Sequence, residues 1–164
     1  MIHYQMHASP LGSLLLAASD KGLCGLYFEE HRHFKGAQGW LQRDDDPCLQ
    51  QAAQQLDEYF AGERRTFDLP LDLGGTLFQQ KVWAHLPQVP FGATASYMRH
   101  AQAVGAGHAV RAVGTAIGRN PVSIIVPCHR IVGSDGALAG YAGGLERKRY
   151  LLAFEAAGPD RLSA

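Results

Sequence analysis

The chain changes character at Asp72-Leu73-Gly74-Gly75, and that change limits what it can fold into. Ahead of it, apolar residues fall in short, strand-like runs; beyond it they recur at helical spacing. Residues 2–8 alternate loosely as a strand, and Ser9-Pro10-Leu11-Gly12 follows as a turn. Residues 13–19 and 23–28 read as two more strands, joined by the hairpin-like Asp20-Lys21-Gly22. Residues 29–46 are polar, carry His31 and His33, and are expected as a loop with a short helix near 34–41. Residues 47–60 predict a helix, with Pro47 at its start, apolar spacing through Leu49, Ala52, Ala53, Leu56, Tyr59 and Phe60, and Gly62 as its stop. Residues 67–73 alternate as a strand would. The expected organisation is a small α/β domain over residues 1–75, then a mostly helical domain over 76–164, with Gly74-Gly75 as the flexible point.

The second half opens on Thr76-Leu77-Phe78-Gln79, a capping-box pattern. Its helix is expected to bury Phe78, Val82, Trp83 and Leu86 and to stop before Pro87. Ser96 suits the cap of a second helix over 97–104, Gly105-Ala106-Gly107 breaks it, and a third helix covers 108–118. Two short helices around a glycine-bearing turn form a helix-turn-helix pattern, which ordinary helical hairpins share. The third helix is unusually slim: Ala109, Ala112, Val113, Thr115 and Ala116 are small, and Gly114 and Gly118 are costly in a helix interior. Arg111 is its one long cation. Such a helix suits close approach to a groove or base stack, whereas major-groove reading needs several long polar side chains.

Between that helix and the last one, Val122, Ile124, Ile125 and Val126 read as a short buried strand bounded by turn residues and ended by Pro127. Cys128, His129 and Arg130 follow. A lone Cys after an apolar run is ordinarily a small buried hydrophobe, but a thiol beside a base and a cation can be activated as a nucleophile. Neighbours on an extended backbone point opposite ways, so His129 reaches Cys128 only through a turn or a water. Residues 138–144 are glycine-rich around Tyr141; no Lys-Ser/Thr follows Gly143-Gly144, which excludes a nucleotide loop and leaves a mobile flap over a pocket. Residues 145–157 predict the final helix, with Leu145, Tyr150, Leu151, Leu152 and Phe154 as its apolar contacts, Glu155 near its end and a loose tail from Gly158.

Formal net charge is zero, yet its distribution is uneven. Residues 1–75 carry six basic against eleven acidic side chains; residues 76–150 carry eight against two. A basic half can hold phosphates while an acidic half limits nonspecific adhesion. Three cysteines, Cys24, Cys48 and Cys128, make no disulfide framework, and Cys24 and Cys48 read as structural. No run approaches the roughly 20 apolar residues of a membrane span, and Met1-Ile2-His3-Tyr4-Gln5 lacks a secretion signal, so the expected location is the cytoplasm.

Val126-Pro127-Cys128-His129-Arg130-Ile131 resembles the active-site signature of the O6-alkylguanine-DNA alkyltransferases. The likeness runs from about Phe78 to Glu155 and includes Ser96-Tyr97, Val110-Arg111-Ala112-Val113-Gly114, Gly118-Arg119-Asn120-Pro121 and Gly140-Tyr141-Ala142-Gly143-Gly144; the first half is similar only in layout. The resemblance implies a ribonuclease-H-like first domain and a winged-helix-like second one. It implies irreversible, single-turnover transfer of the alkyl group from O6-alkylguanine, and less well from O4-alkylthymine, to Cys128 after nucleotide flipping. His129 is then the base, acting through a water, and Glu155 orients it. Asn120 ties the Cys turn to the helices, and Tyr97 crowds the target phosphate and donates to the leaving guanine. Tyr141 and the backbone around Ala142 line the pocket, with Ser123 and Ile131 beside it, and Arg111 fills the gap left by the extruded base. The partner implied is double-stranded DNA through its minor groove, met by a monomer without cofactor or metal.

Departures from the family pattern are Met98-Arg99-His100, with His100 at an expected core position, Ala106-Gly107-His108 in the turn, and Ser123 where some members carry Pro. Cys24, His3, His31 and His33 fit no metal-ligand spacing. Three rival functions share some of these features. A non-catalytic binder of alkylated bases would lack the Cys, a Cys-His hydrolase would turn over without needing Arg111 or Tyr97, and a transcription factor would need specific operators.

Overall fold

The computed structural model describes residues 1–162. Its first half is a four-stranded sheet in the order β3-β2-β1-β4, formed by β1 (His3–Ser9), β2 (Gly12–Ala18), β3 (Leu23–Tyr27) and β4 (Leu41–Gln42). The first three strands are antiparallel neighbours, and β4 lies parallel to β1. Helix α1 (Pro47–Phe60) packs on the sheet through fully buried Leu49, Ala52, Leu56 and Tyr59. Truncating one such leucine to Ala costs about 2–5 kcal/mol. Asp46 starts the helix by accepting from the Cys48 and Leu49 amides, and its second oxygen pairs with His3 Nδ1 at 2.9 Å. One aspartate thus fixes both the helix start and its seat on β1.

The second half holds α2 (Leu77–His85), α3 (Tyr97–Ala103), α4 (Val110–Gly118) and α5 (Leu145–Leu162), with β5 (Ala95–Ser96) parallel to β6 (Ile131–Val132). Thr76 and Gln79 complete the capping box of α2. Trp83 Nε1 donates to Ala116 O at 2.7 Å, locking α2 to α4. His100 lies in the core between α2 and α3, where its Nε2 donates to Val82 O at 3.0 Å. A polar residue at that core position is satisfied by one carbonyl.

Several expected elements take other forms. The run from Val122 to Val126 is buried but is a tight turn, with bonds from Val126 N to Val122 O and Ile125 N to Ser123 O. Ile124 adopts φ 71°, a costly conformation for a β-branched residue. Only Val122 bridges to Leu26 of β3. An apolar run of this length satisfies a strand pattern and a buried turn equally well; here the Asn120 side chain supplies the backbone partners that a neighbouring strand would.

No helix forms at 34–41, because Glu30, His33, Gly36 and Gly39 all take positive φ. The segment is held instead by aromatic packing, with Phe34 stacked on Tyr27 at 4.0 Å and Trp40 against Phe34 and Tyr4. Residues 67–73 make one bridge, Leu71 to Leu23, and no strand; Pro70 lacks the donor a ladder needs. Phe78 is partly exposed rather than buried, and the third helix begins at Val110. In α5, Leu151 and Phe154 are buried while Leu145 and Tyr150 are exposed. Gly158 breaks α5, and helix resumes to Leu162 where the sequence suggests a loose tail; the last two tail residues lie outside the described ones.

Candidate active site

Cys128 opens a single 3-10 turn, Cys128–Arg130, which follows the 122–126 turn. Asn120, just past the end of α4, clamps that turn by donating from Nδ2 to Val126 O (2.7 Å) and accepting from Val122 N (3.0 Å). From the other side, Leu26 N donates to Pro121 O at 2.9 Å, so the free edge of β3 also braces it. Cys128 is thereby set at the wall of a cavity of about 110 Å3 lined by Tyr97, Gly114, Asn120, Ser123, Tyr141 and Ala142 among others. The hydroxyls of Ser123 and Tyr141 are buried near each other and near the Cys128 thiol, and neither makes a well-aligned hydrogen bond among the described residues. Unpaired buried polar groups facing a cavity are costly, and mark a place that a ligand completes.

Behind the cysteine lies a closed charge cluster. His129 is fully buried, and its Nε2 lies 2.8 Å from Glu155 Oε2. Arg130 donates to both Glu155 oxygens, at 2.8 and 3.0 Å, and to Val89 O. Tyr59, from α1 in the first half, donates its hydroxyl to Glu155 Oε2 at 2.6 Å. Burial alone would raise the Glu155 carboxyl, but the bonds from His129 and Arg130 outweigh it and hold the group down at about 2. An ionised carboxylate only accepts, so the imidazole proton sits on Nε2 and Nδ1 carries the free lone pair. That Nδ1 has no partner among the described residues. Burial pushes His129 below its ordinary pKa, and Glu155 opposes this. The imidazole is therefore neutral at pH 7 and able to take a proton.

Burial also raises the Cys128 thiol, with the Asn120 amide and the Lys148 ammonium pulling the other way. At rest the sulfur is a thiol, and the residue next to it in the chain is an unprotonated base. Lys148 is buried on α5, donates to Ala139 O and Gly140 O at 3.3 and 3.2 Å, and lies over the Tyr97 ring. The Tyr97 hydroxyl, raised by burial and by Cys128, donates to Ala139 O at 2.6 Å. Lys148 and Tyr97 together fasten the 138–144 segment over the cavity. Among the described residues no group of three His, Cys, Asp or Glu side chains is placed to hold a metal ion.

Residues 77–157 match the profile of the 6-O-methylguanine DNA methyltransferase DNA binding domain, and residues 2–73 that of the ribonuclease-like domain of the same proteins. The chain belongs to the 6-O-methylguanine DNA methyltransferase family. It is 45% identical over 155 residues to a methylated-DNA--protein-cysteine methyltransferase of Mycolicibacterium paratuberculosis, covering 94% of this chain and 93% of that one. It is 46% identical over 158 residues to the constitutive enzyme of Bacillus subtilis, covering 94% and 96%. The crystal structure of Mycobacterium tuberculosis OGT in complex with DNA superposes with a TM-score of 0.87 at 45% identity, covering 98% of each chain.

Of the residues that the family resemblance singles out, Cys128, Asn120, Tyr97, Tyr141, Ser123 and Ala142 come together at the cavity. His129 and Glu155 are joined behind it. Arg111 stands exposed on α4, away from the lining. Ile131 does not reach the cavity; it is fully buried in β6, paired with Ala95. Sequence reasoning misses two participants, Lys148 and Tyr59, and reads Arg130 only as a cation beside the thiol, where the structure turns it onto Glu155. Lys148, Leu151 and Glu155 share one face of α5 by helical spacing, a readable signal that a lysine there is buried. Arg130 carries its signal in adjacency to His129. Tyr59 looks like any core aromatic of α1, and only its partner reveals its part.

Proposed function

We propose that this protein repairs DNA by direct reversal, taking the alkyl group of O6-alkylguanine, and less well of O4-alkylthymine, onto Cys128 in a single irreversible turnover. The observation that carries the reading is the cavity itself: Cys128 sits at its wall, and its other side is α4, the second helix of a helix-turn-helix. A Cβ added at Gly118 would meet nothing within 4 Å, and one at Gly114 would make only ordinary contact with Tyr97. Packing inside the protein does not demand these glycines, so close approach by an outside body accounts for them. The mycobacterial relative with the same fold binds DNA.

In this mechanism α4 enters the minor groove of duplex DNA, Arg111 occupies the space of the extruded base, and the turned-out nucleotide fills the cavity. His129 Nδ1 receives the Cys128 proton through an intervening water, and the Glu155 carboxylate stabilises the resulting imidazolium. Sγ bonds to the alkyl carbon as the C–O6 bond breaks, and its electron pair passes to guanine. Tyr97, still protonated, gives up its bond to Ala139 and donates to the leaving base, while Ser123 and Tyr141 complete the polar lining. A thioether is a stable product, so on this reading each molecule acts once. Residues 1–75 and 76–164 act as two domains of one cytoplasmic monomer.

Intact mass measurement after mixing with a duplex bearing one O6-methylguanine tests the reading. One methyl per molecule on the Cys128 peptide is expected, and none from Cys128→Ala, which still binds the duplex. Turnover without a modified protein would favour a Cys-His hydrolase and refute the proposal.

A further inference from the structure

The rim of the Cys128 cavity is not built by the second half alone. Arg32 and His33, from the loop between β3 and β4, line it together with Tyr97, Gly118 and Asn120. The cavity continues into a wider cleft of about 710 Å3 between the two halves, where Lys35 and Arg119 join them. Residues 1–75 are strongly acidic overall, yet two of their six cations stand here. Among the described residues Arg32, Lys35 and Arg119 form no ion pair, and their side chains donate no hydrogen bond within the protein. Asp72 also lines the cleft, but its carboxylate accepts from the Ser19 hydroxyl at 2.5 Å. Arg32, His33, Lys35 and Arg119 line this one cleft together, and the two arginines help depress His33 below its ordinary pKa after desolvation.

The loop that presents them is rigidly held. Arg32 N donates to Ala142 O at 2.8 Å, joining it to the segment over the cavity. Phe28 N donates to His31 Nδ1 at 3.1 Å, Arg147 donates to Glu29 O at 2.8 Å, and Phe34 stacks on Tyr27. Glu30 and His33 are held at φ 58° and 62°, conformations that non-glycine residues keep only where the surroundings impose them. Like charges brought together on a fixed loop, without internal partners, repel each other. They are stabilised when an anion arrives, and a loop already ordered loses little entropy in meeting it.

We propose that Arg32, with Arg119 and Lys35, forms a phosphate-binding rim that grips the DNA backbone beside the nucleotide turned into the Cys128 cavity. The inference rests on the repair reading above. α4 contributes Gly114, Ile117 and Gly118 to the same cavity, so a duplex seated on α4 brings its backbone to this rim. A nucleotide rotated inward draws its own phosphodiester to the mouth, where guanidinium groups suit phosphate oxygens. The first domain thereby takes part in DNA binding despite its acidic surface.

The test is a salt series of duplex binding, in a Cys128→Ala background that prevents transfer, for the parent and for Arg32→Gln, Arg32→Lys and the double variant Arg32→Gln/Arg119→Gln. Each lost phosphate contact should reduce the slope of log K against log salt by about 0.9. Affinity at low salt should fall roughly tenfold for Arg32→Gln, the size of one charge-assisted contact. Arg32→Lys should restore the slope, which a merely structural role would not. With Cys128 intact, the ratio of transfer from an O6-methylguanine duplex to transfer from the free alkylated base should fall in parallel. Slopes that match the parent in both Gln variants, or no rescue by Lys, would overturn the rim while leaving repair intact. A wild-type protein that takes no methyl from the duplex would overturn the repair reading itself.

Discussion

Tyr59→Phe removes one oxygen, and the structure says what that oxygen does. Its hydroxyl donates over 2.6 Å to Glu155 Oε2, with both groups buried and the acceptor ionised. Hydrogen bonds to charged groups contribute about 1.5–3 kcal/mol, and the phenylalanine ring preserves the packing against Phe60, Phe91 and Phe154. A loss of about 2 kcal/mol follows, which for a chain of this size lowers Tm by roughly 4–8 °C. A second effect concerns chemistry. Glu155 without that donor holds its charge more fully toward His129, so the imidazolium is favoured and the acidic limb of the transfer rate moves to higher pH. Thermal unfolding and single-turnover transfer across a pH series measure the two effects. Leu56→Ala, in the same helix, should destabilise by a similar or larger amount without moving the limb. A Tyr59→Phe protein with wild-type Tm, or with lowered Tm and an unmoved limb, would refute the positioning role.

Arg111→Ala should slow transfer from duplex DNA far more than from the free alkylated base, because its exposed side chain touches no part of the cavity; a competition between the two substrates checks this. Glu155→Gln leaves the Arg130 charge buried against a neutral amide and should cost about 3–5 kcal/mol in denaturant unfolding, along with transfer. Acid should unfold the protein through the same cluster. His129 is depressed from 6.5 and Glu155 from 4.5 to about 2, so both bind fewer protons when folded. Above about pH 6.5 neither group costs stability; as pH falls from there toward 2, charging His129 and protonating Glu155 progressively destabilise the fold. Chemical denaturation at stepped pH measures the loss, and stability that held level across that window would contradict it.

Much of the architecture is legible in the residues themselves. Alternation and capping place β1 to β3, α1 and α2, because those signals are local: Pro47 and Gly62 bound one helix, and Thr76 with Gln79 opens another. The segments that mislead are those whose form depends on a distant partner. The 122–126 run looks like a strand because burial and strand pairing leave the same apolar signature, and the Asn120 clamp that makes it a turn lies in side-chain geometry. Residues 34–41 give no hint that non-glycine residues beside them take left-handed φ. At the site, Cys128, His129 and Glu155 stand out through the family resemblance, whereas Tyr59 and Lys148 come from elements that read as scaffolding. The thiol also rests protonated, a consequence of burial that a motif does not carry.

The seam near Gly74-Gly75 invites the idea of interchangeable modules. Tyr59 reaching Glu155, and the Leu26 amide reaching Pro121, say otherwise. Whoever swaps the amino-terminal half for an unrelated one must restore a proton donor at one carboxylate oxygen and an edge for the reactive turn to lean on. Without both, the transplanted sulfur would keep its address and lose its temper.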